Sequence, residues 1–348
     1  VGRAREGFAA SIVKWQGQHG RHDLPWQNTR DPYRVWLSEI MLQQTQVQTV
    51  RDYFVRFLQR FPDLASLAHA RLDDVLGLWS GLGYYSRARN LHRCAQQVLA
   101  LHGGVFPQRA DVLVTLPGIG RSTAAAIASL CFGERVALMD ANVRRVVARV
   151  TAFDGDVSRP ANERLLWDQA SALLPQRRAS MPAYSQGMMD LGASICLQRK
   201  PLCERCPVRE HCEAARLGTP QRFPAPRRKA LRGSEHVWLL WLRTHAGAVV
   251  LARRPQPGVW GGLHCLPLFA SEEDLRAALP EPLPGELRTS AMVKHALTHK
   301  DMYLHVLHLP LAAQSGPWGL GQWHEAAQWP KLGLPAPIRK LLDSGAPA

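Results

Sequence analysis

The chain has 348 residues, enough for two or three cores, and carries 43 Lys and Arg against 28 Asp and Glu, a net charge of +15. The excess is mostly arginine, which pairs phosphate bidentately, so nucleic acid is the natural partner and a generic basic surface the plain alternative. No apolar run approaches a membrane span and the first residues lack a signal-peptide pattern; seven cysteines, four clustered late, point to a reducing compartment and a metal site, not a disulfide framework.

Phe8 to Gln18 has helical apolar spacing with Ile12 and Trp15 inward, and Gly20 to Thr29 is a polar turn. Asp31-Pro32 predicts the next helix start, with Asp as N-cap and Pro at the first helical position. The helix that follows, Tyr33 to about Gln44, is apolar nearly all round and is expected to be buried. Glu39 sits in its middle. A carboxylate there is costly unless paired or neutral, and desolvation raises its pKa. A structural Glu bonded to a neighbour and a functional acid fit that placement equally. Thr45 to Phe61 reads as an amphipathic helix ended by Pro62, and Leu72 to Trp79 as a shorter one.

Gly81-Leu82-Gly83-Tyr84-Tyr85-Ser86 is a Gly-x-Gly turn before a helix starting near Ser86. Its tyrosines suit stacking on bases or core packing. A second such turn, Leu116-Pro117-Gly118-Ile119-Gly120-Arg121-Ser122, precedes a small apolar helix from Thr123 to Cys131. Backbone N–H groups at such a turn and helix start point outward together, which suits a phosphate. Asp140-Ala141-Asn142 follows. Asn142 to Ala152 is a basic helix with Arg144, Arg145 and Arg149 opposite a valine face, either a solvated face or a set of phosphate contacts. With Ala161 to Leu174 and Ala183 to Ile195, about ten helices make one α-domain through residue 216.

Cys196, Cys203, Cys206 and Cys212 are spaced C-x6-C-x2-C-x5-C, four thiolates able to close around one metal centre, either zinc or an iron–sulfur cluster. Arg199, Lys200, Arg205 and Arg209 make this loop basic. Residues 217–234, rich in proline and basic residues, read as a linker. Beyond it, Val237 to Leu242, Val249 to Ala252 and Tyr303 to Leu309 are expected strands and Glu272 to Leu279 a short helix, an α+β domain over 235–348.

Several of these stretches resemble one family. The Gly118–Gly120 hairpin (about 111–131) with Asp140 behind it is similar to the helix-hairpin-helix of base-excision DNA glycosylases. Ser38-Glu39-Ile40-Met41-Leu42-Gln43-Gln44-Thr45-Gln46-Val47 resembles the acid-bearing motif of bacterial adenine glycosylases, the MutY family in the endonuclease III-like superfamily. The cysteine spacing matches that superfamily's [4Fe-4S] loop in every interval, and residues 235–348 resemble the Nudix-like recognition domain of the same family.

The resemblance implies a multidomain chain: an all-α glycosylase domain at 1–216 with its iron–sulfur loop at 196–212, a linker, and an α+β Nudix-like domain. It implies a catalytic Glu39 and Asp140 with Asn142 positioning, a [4Fe-4S] cofactor on the four cysteines, and DNA contacts by Gln44, Tyr84, Gly118, Gly120 and Arg121. Lys294 to His299 falls at the family's lesion-sensing Phe-Ser-His loop, with Leu297 and Thr298 replacing Phe and Ser and His299 retained. The glutamate-rich magnesium helix of Nudix hydrolases is absent after Gly262, leaving this half a recognition role. Related bifunctional enzymes carry a nucleophilic lysine where this chain has Ser122, so strand cleavage is expected to be weak or absent. The expected partner is double-stranded DNA bearing adenine opposite 8-oxoguanine or guanine, met by a monomer in the bacterial cytoplasm at the nucleoid. A thymine-mismatch or oxidised-pyrimidine glycosylase, and a non-catalytic DNA-binding protein, are the alternatives.

Overall fold

The computed structural model describes residues 2–225, 232–290 and 292–345, with side chains from Glu6 onward. Twelve α-helices precede residue 217 among the described residues: α1 (Gly2–His19), α2 (Pro32–Leu42), α3 (Val47–Arg60), α4 (Leu64–Ala68), α5 (Leu72–Leu78), α6 (Ser86–His102), α7 (Ala110–Leu113), α8 (Arg121–Phe132), α9 (Ala141–Val150), α10 (Pro160–Ala172), α11 (Met181–Ser194) and α12 (Glu213–Arg216). None of the described helices is long and apolar enough to cross a membrane. Eight strands follow, β1 (Gly233–Thr244), β2 (Val249–Arg253), β3 (His264–Cys265), β4 (Leu268–Phe269), β5 (Arg288–Thr289), β6 (Val293–Ala296), β7 (Lys300–Leu311) and β8 (Gln322–His324), with α13 (Glu272–Ala277) and α14 (Ala336–Asp343).

Helix α2 starts as Asp31-Pro32 predicts, the Asp31 carboxylate accepting from the Tyr33 N–H at 2.9 Å. It ends two residues early, because Gln43 leaves helical geometry and Gln44 takes a left-handed conformation (φ 56°). Trp36, Leu37 and Met41 on this helix are fully buried.

The chain divides into two compact units, Val1–Ala68 with Arg93–Arg228 and His69–His92 with Lys229–Ala348. In the first, α1, α8, α9, α10 and α11 enclose a core around Ile12, Val146, Leu166, Met181 and Leu191. Cys196, Cys206 and Cys212 pack against that core. Of the expected linker, residues 226–231 lie outside the described residues. Residues 217–225 are held down: Arg149 Nε donates to the carbonyls of Pro220 (2.9 Å) and Phe223 (3.1 Å), and Phe223 is buried.

The second unit is built on a mixed sheet in the order β3-β2-β1-β7-β5, with β4 on β1, β6 on β7 and β8 on β2. β1 and β7 run parallel over twelve residues, from Gly233↔Lys300 to Thr244↔Leu311. Their side chains alternate between two cores. Leu239, Trp241, Leu304 and Val306 meet Ile338 and Leu342 of α14 on one face, while Leu240, Leu242, Leu307 and Leu309 meet Leu275 of α13 on the other. Burial on both faces explains the unbroken apolar run at 237–242. The loop expected at 294–299 is half strand: β6 takes Lys294 to Ala296, and Leu297 N–H donating to Lys300 O (2.8 Å) closes a hairpin tip.

Residues 69–92, which the sequence reading places with the helices, group with the sheet. Arg253 pairs with Asp73 at 2.6 Å, Arg89 donates to Gly261 O at 2.8 Å, and the hydroxyls of Ser80 and Tyr85 donate to Leu334 O. Gly77, inside α5, faces the 329–332 turn so closely that an added Cβ would lie 2.2 Å from Lys331 O. Alanine inside a helix normally stabilises by about 1 kcal/mol over glycine. Here the sign reverses: Gly77→Ala is expected to destabilise the second unit by about 1–3 kcal/mol, read as a lower midpoint in thermal unfolding.

Candidate active site

Glu39 opens onto a cavity of about 540 Å³ in the first unit, lined by residues of the 21–30 turn, α2 and α11, among them Arg21, Trp26, Ser38, Leu42 and Gln186. That is within the usual size range for a small-molecule pocket. The turn is braced by Asp190 of α11, which is fully buried and accepts from Arg21 Nε (2.7 Å), the Arg21 N–H (3.1 Å) and Gln186 Nε2 (3.0 Å).

Burial pushes the Glu39 carboxyl up to about 7, and the negative charge of Asp140 adds to the rise. Asp140 is the N-cap of α9, its Oδ1 accepting from the Val143 N–H at 2.7 Å and its Oδ2 from Asn142 Nδ2 at 3.4 Å. Desolvation raises its pKa too, but these two donors and the Arg145 guanidinium oppose the rise. These donors favour the ionised form of Asp140, whereas both causes that act on Glu39 favour its protonated form. Asn142 is not itself the cap of α9; it lies on the first turn of the helix and donates to the capping Asp140.

Ser122, on the first turn of α8, accepts from the Met139 N–H at 3.2 Å through Oγ, so the hairpin helix holds the backbone next to Asp140. Gln43 reaches the same helix through Thr123 Oγ1 at 3.3 Å, and Gln44 beside it is exposed. In the hairpin, Gly118 is left-handed (φ 75°). Gly120 is the N-cap of α8, and a Cβ added to it would meet no protein atom. The protein interior gives no steric reason for glycine there. The exposed Arg121 lays its guanidinium on Trp167, 3.9 Å from the ring centroid.

Two of the α9 arginines are neither a solvated face nor phosphate contacts. Arg145 donates to Asn142 Oδ1 (2.9 Å), Gly192 O (2.6 Å) and Cys196 O (2.6 Å). Arg149, 2% exposed, donates to Leu197 O (2.6 Å), Gln198 O (3.2 Å) and Cys196 Sγ (3.3 Å). Arg144 lies 3.4 Å from Glu163. The sequence marks these side chains as basic but cannot show that a loop 50 residues later closes over them. Asn142 is further confined by Gly192, where an added Cβ would lie 2.6 Å from Asn142 Cβ.

Cys196, Cys203, Cys206 and Cys212 are unpaired and line one small cavity with Arg149 and Ile195. Among the described residues, no three His, Cys, Asp or Glu side chains converge as ligands of a single ion. Arg199, Lys200 and Arg205 on this loop are exposed, while Arg209 pairs with Glu204. In the second unit, Tyr84 (φ 47°) and the hairpin tip Leu297, Thr298 and His299 share a cavity of about 450 Å³, and the Tyr84 and Thr298 hydroxyls lie 3.0 Å apart.

Comparison with known proteins agrees with this architecture. Residues 37–171 match the HhH-GPD superfamily of base excision DNA repair proteins, and residues 237–344 match the NUDIX domain. A thermostable thymine-DNA glycosylase structure superposes with a TM-score of 0.55 at 29% identity, covering 62% of this chain and 98% of that one. Fold and site thus define a DNA glycosylase of base excision repair, a helix-hairpin-helix enzyme with a Nudix-like α+β domain behind it. The chain is 33% identical over 342 residues to the adenine DNA glycosylase of Buchnera aphidicola subsp. Acyrthosiphon pisum, covering 97% of both. It is 43% identical over 216 residues to the Homo sapiens adenine DNA glycosylase, covering 60% of this chain and 39% of that one. The chain belongs to the adenine DNA glycosylase family, the MutY family.

The raised pKa of Glu39 has a stability consequence with a definite sign. The unfolded chain ionises this carboxyl near 4.5, the folded chain near 7. Its contribution is therefore fully present below pH 4.5 and is lost as pH rises through 7. Glu39→Gln removes that loss. The variant should match the parent in unfolding free energy near pH 4.5 and exceed it increasingly up to pH 7.5, by at most about 3 kcal/mol, as measured by urea titrations across that range.

Proposed function

We propose that the adenine removed is the one mispaired with 8-oxoguanine or guanine in double-stranded DNA, and that removal is hydrolytic with little or no strand cleavage. The observation that carries the chemistry is a single carboxyl, Glu39, that faces an open cavity, titrates near 7 and feels the charge of Asp140. An everted adenine in that cavity needs protonation to leave, and Glu39 can donate to N7 at neutral pH. As the C–N bond breaks the sugar gains oxocarbenium character. The Asp140 carboxylate, fixed by the Val143 N–H and the Asn142 amide, stabilises that charge or adds to the anomeric carbon before water resolves it.

Ser122 supports the monofunctional reading. It stands where a bifunctional enzyme carries its amine, and its hydroxyl oxygen accepts the Met139 N–H. No Schiff base forms at an oxygen. The duplex contacts assigned to Gln44, Gly118, Gly120, Arg121 and Tyr84 are supported by the exposure of Gln44, Arg121 and Tyr84 and the open space beside Gly120. The cysteine cavity, bounded by four thiols and Arg149, fits a [4Fe-4S] cluster held by Cys196, Cys203, Cys206 and Cys212. Such a cluster would offset part of the charge of four thiolates and cross-link the loop, while Arg145 and Arg149 tie that loop to the helix capped by Asp140. We place the enzyme as a monomer at the bacterial nucleoid.

Single-turnover release from duplexes with adenine opposite 8-oxoguanine or guanine, quenched with and without alkali, tests this reading. Glu39→Gln and Asp140→Asn should each bind duplex and release adenine at least a thousandfold more slowly, in line with the loss of an acid or an electrostatic stabiliser. Strand breaks should appear only after alkali. Undiminished release by both variants, or breaks without alkali, would overturn it.

A further inference from the structure

The cavity at Tyr84 has a wall that no role given so far accounts for. Trp260 and His295 line the cavity together with Tyr84 and Thr298, the Trp260 and His295 ring centroids 5.9 Å apart. Trp260 is half-buried, one side packed on the sheet core and the other lining the cavity. Its backbone is left-handed (φ 59°), a conformation bulky side chains rarely adopt and one that clusters at functional sites. The turn that imposes it is tight: Gly258 and Gly262 have φ of 152° and 77°, and a Cβ at Gly262 would lie 2.3 Å from Gln256 Nε2. Arg89 Nη1 ties the turn, through Gly261 O at 2.8 Å, to α6, the helix that Tyr84 precedes by two residues. Tyr84 is itself left-handed (φ 47°). Two aromatic residues, each in an unusual backbone conformation and each fixed to one helix start, thus face one cavity. The hairpin tip offers Leu297 instead of a ring.

We infer that Trp260 is a specificity-determining residue, the aromatic face on which the purine paired with the excised adenine stacks, with Tyr84, Thr298 and His295 reading that purine's edge. An oxidised guanine differs from guanine by a carbonyl at C8 and an N–H at N7. The Thr298 and Tyr84 oxygens can accept the new N–H. Burial keeps the His295 imidazole below its usual pKa, so at neutral pH it carries both a donor and an acceptor nitrogen. A base stacked on indole gains free energy whatever its identity; the edge contacts convert the fixed position into discrimination. The assignment rests on the lesion reading above.

The test is equilibrium binding of the full chain to duplexes carrying an uncleavable 2′-fluoro adenosine opposite 8-oxoguanine or guanine. Trp260→Phe keeps a ring and should retain the preference for 8-oxoguanine. Trp260→Met keeps apolar bulk without a ring and should lower the ratio of the two affinities on the order of tenfold. Leu297→Phe added to Trp260→Met should restore part of the ratio. An intact ratio in Trp260→Met, or equal loss from both duplexes, would overturn the role of Trp260 while leaving the lesion reading in place. A parent chain that binds both duplexes alike would instead sink the lesion reading, and the inference with it.

Discussion

The protein keeps a carboxyl group where water cannot fully solvate it. Glu39 occupies the middle of a helix whose other faces bury Trp36, Leu37 and Met41, and it shares its surroundings with a second acid. Burial and the charge of Asp140 act in the same direction, and the outcome is a proton held near neutral pH. A general acid needs that property. The same two effects work increasingly against folding as pH rises from 4.5 through 7, so this site costs stability that the cores of α1, α8, α9, α10 and α11 must offset.

Much of the first unit converges on Asp140. The Val143 N–H and the Asn142 amide donate to it, Arg145 holds Asn142, and the bare Gly192 lets α11 pass close beside Asn142. Arg145 and Arg149 fasten the same helix to the start of the cysteine loop. Ser122 completes the frame from the hairpin side. The Ser122 hydroxyl acts here as a brace, accepting the Met139 N–H. A basic composition with few buried arginines would fit simple phosphate binding; here two arginines of α9 bind protein carbonyls, and any surface for DNA must come from others.

Elements with a strong local signature were legible in the sequence. Asp31-Pro32 marks a helix start by capping geometry alone, and the apolar run at 237–242 marks a strand buried on both faces. The two-residue strands β3, β4 and β5 carry no period to read. β6 is only four residues, Val-Lys-His-Ala, without an alternating apolar pattern, and α14 begins in a Pro-Ala-Pro segment that reads as a turn. The grouping of residues 69–92 with the sheet was hidden for a different reason: amphipathic spacing shows that a helix has a buried face, not which partner covers it. The cysteines stood out by their spacing and Glu39 as a carboxylate in an apolar helix, while Asp140 was singled out by the family resemblance. Arg145, Arg149, Arg89 and Trp260 act through contacts with residues 35 to 172 positions away, and only the folded chain brings those contacts into view.

The central claim is the protonation state of Glu39, and direct titration of its side chain tests it. The 13C carboxyl resonance of Glu39 in glutamate-labelled protein, assigned by its loss in Glu39→Gln, should titrate near pH 7. It should move to lower pH in Asp140→Asn, where the neighbouring charge is gone. A midpoint near the ordinary glutamate value of 4.5, or one indifferent to Asp140, would contradict the account.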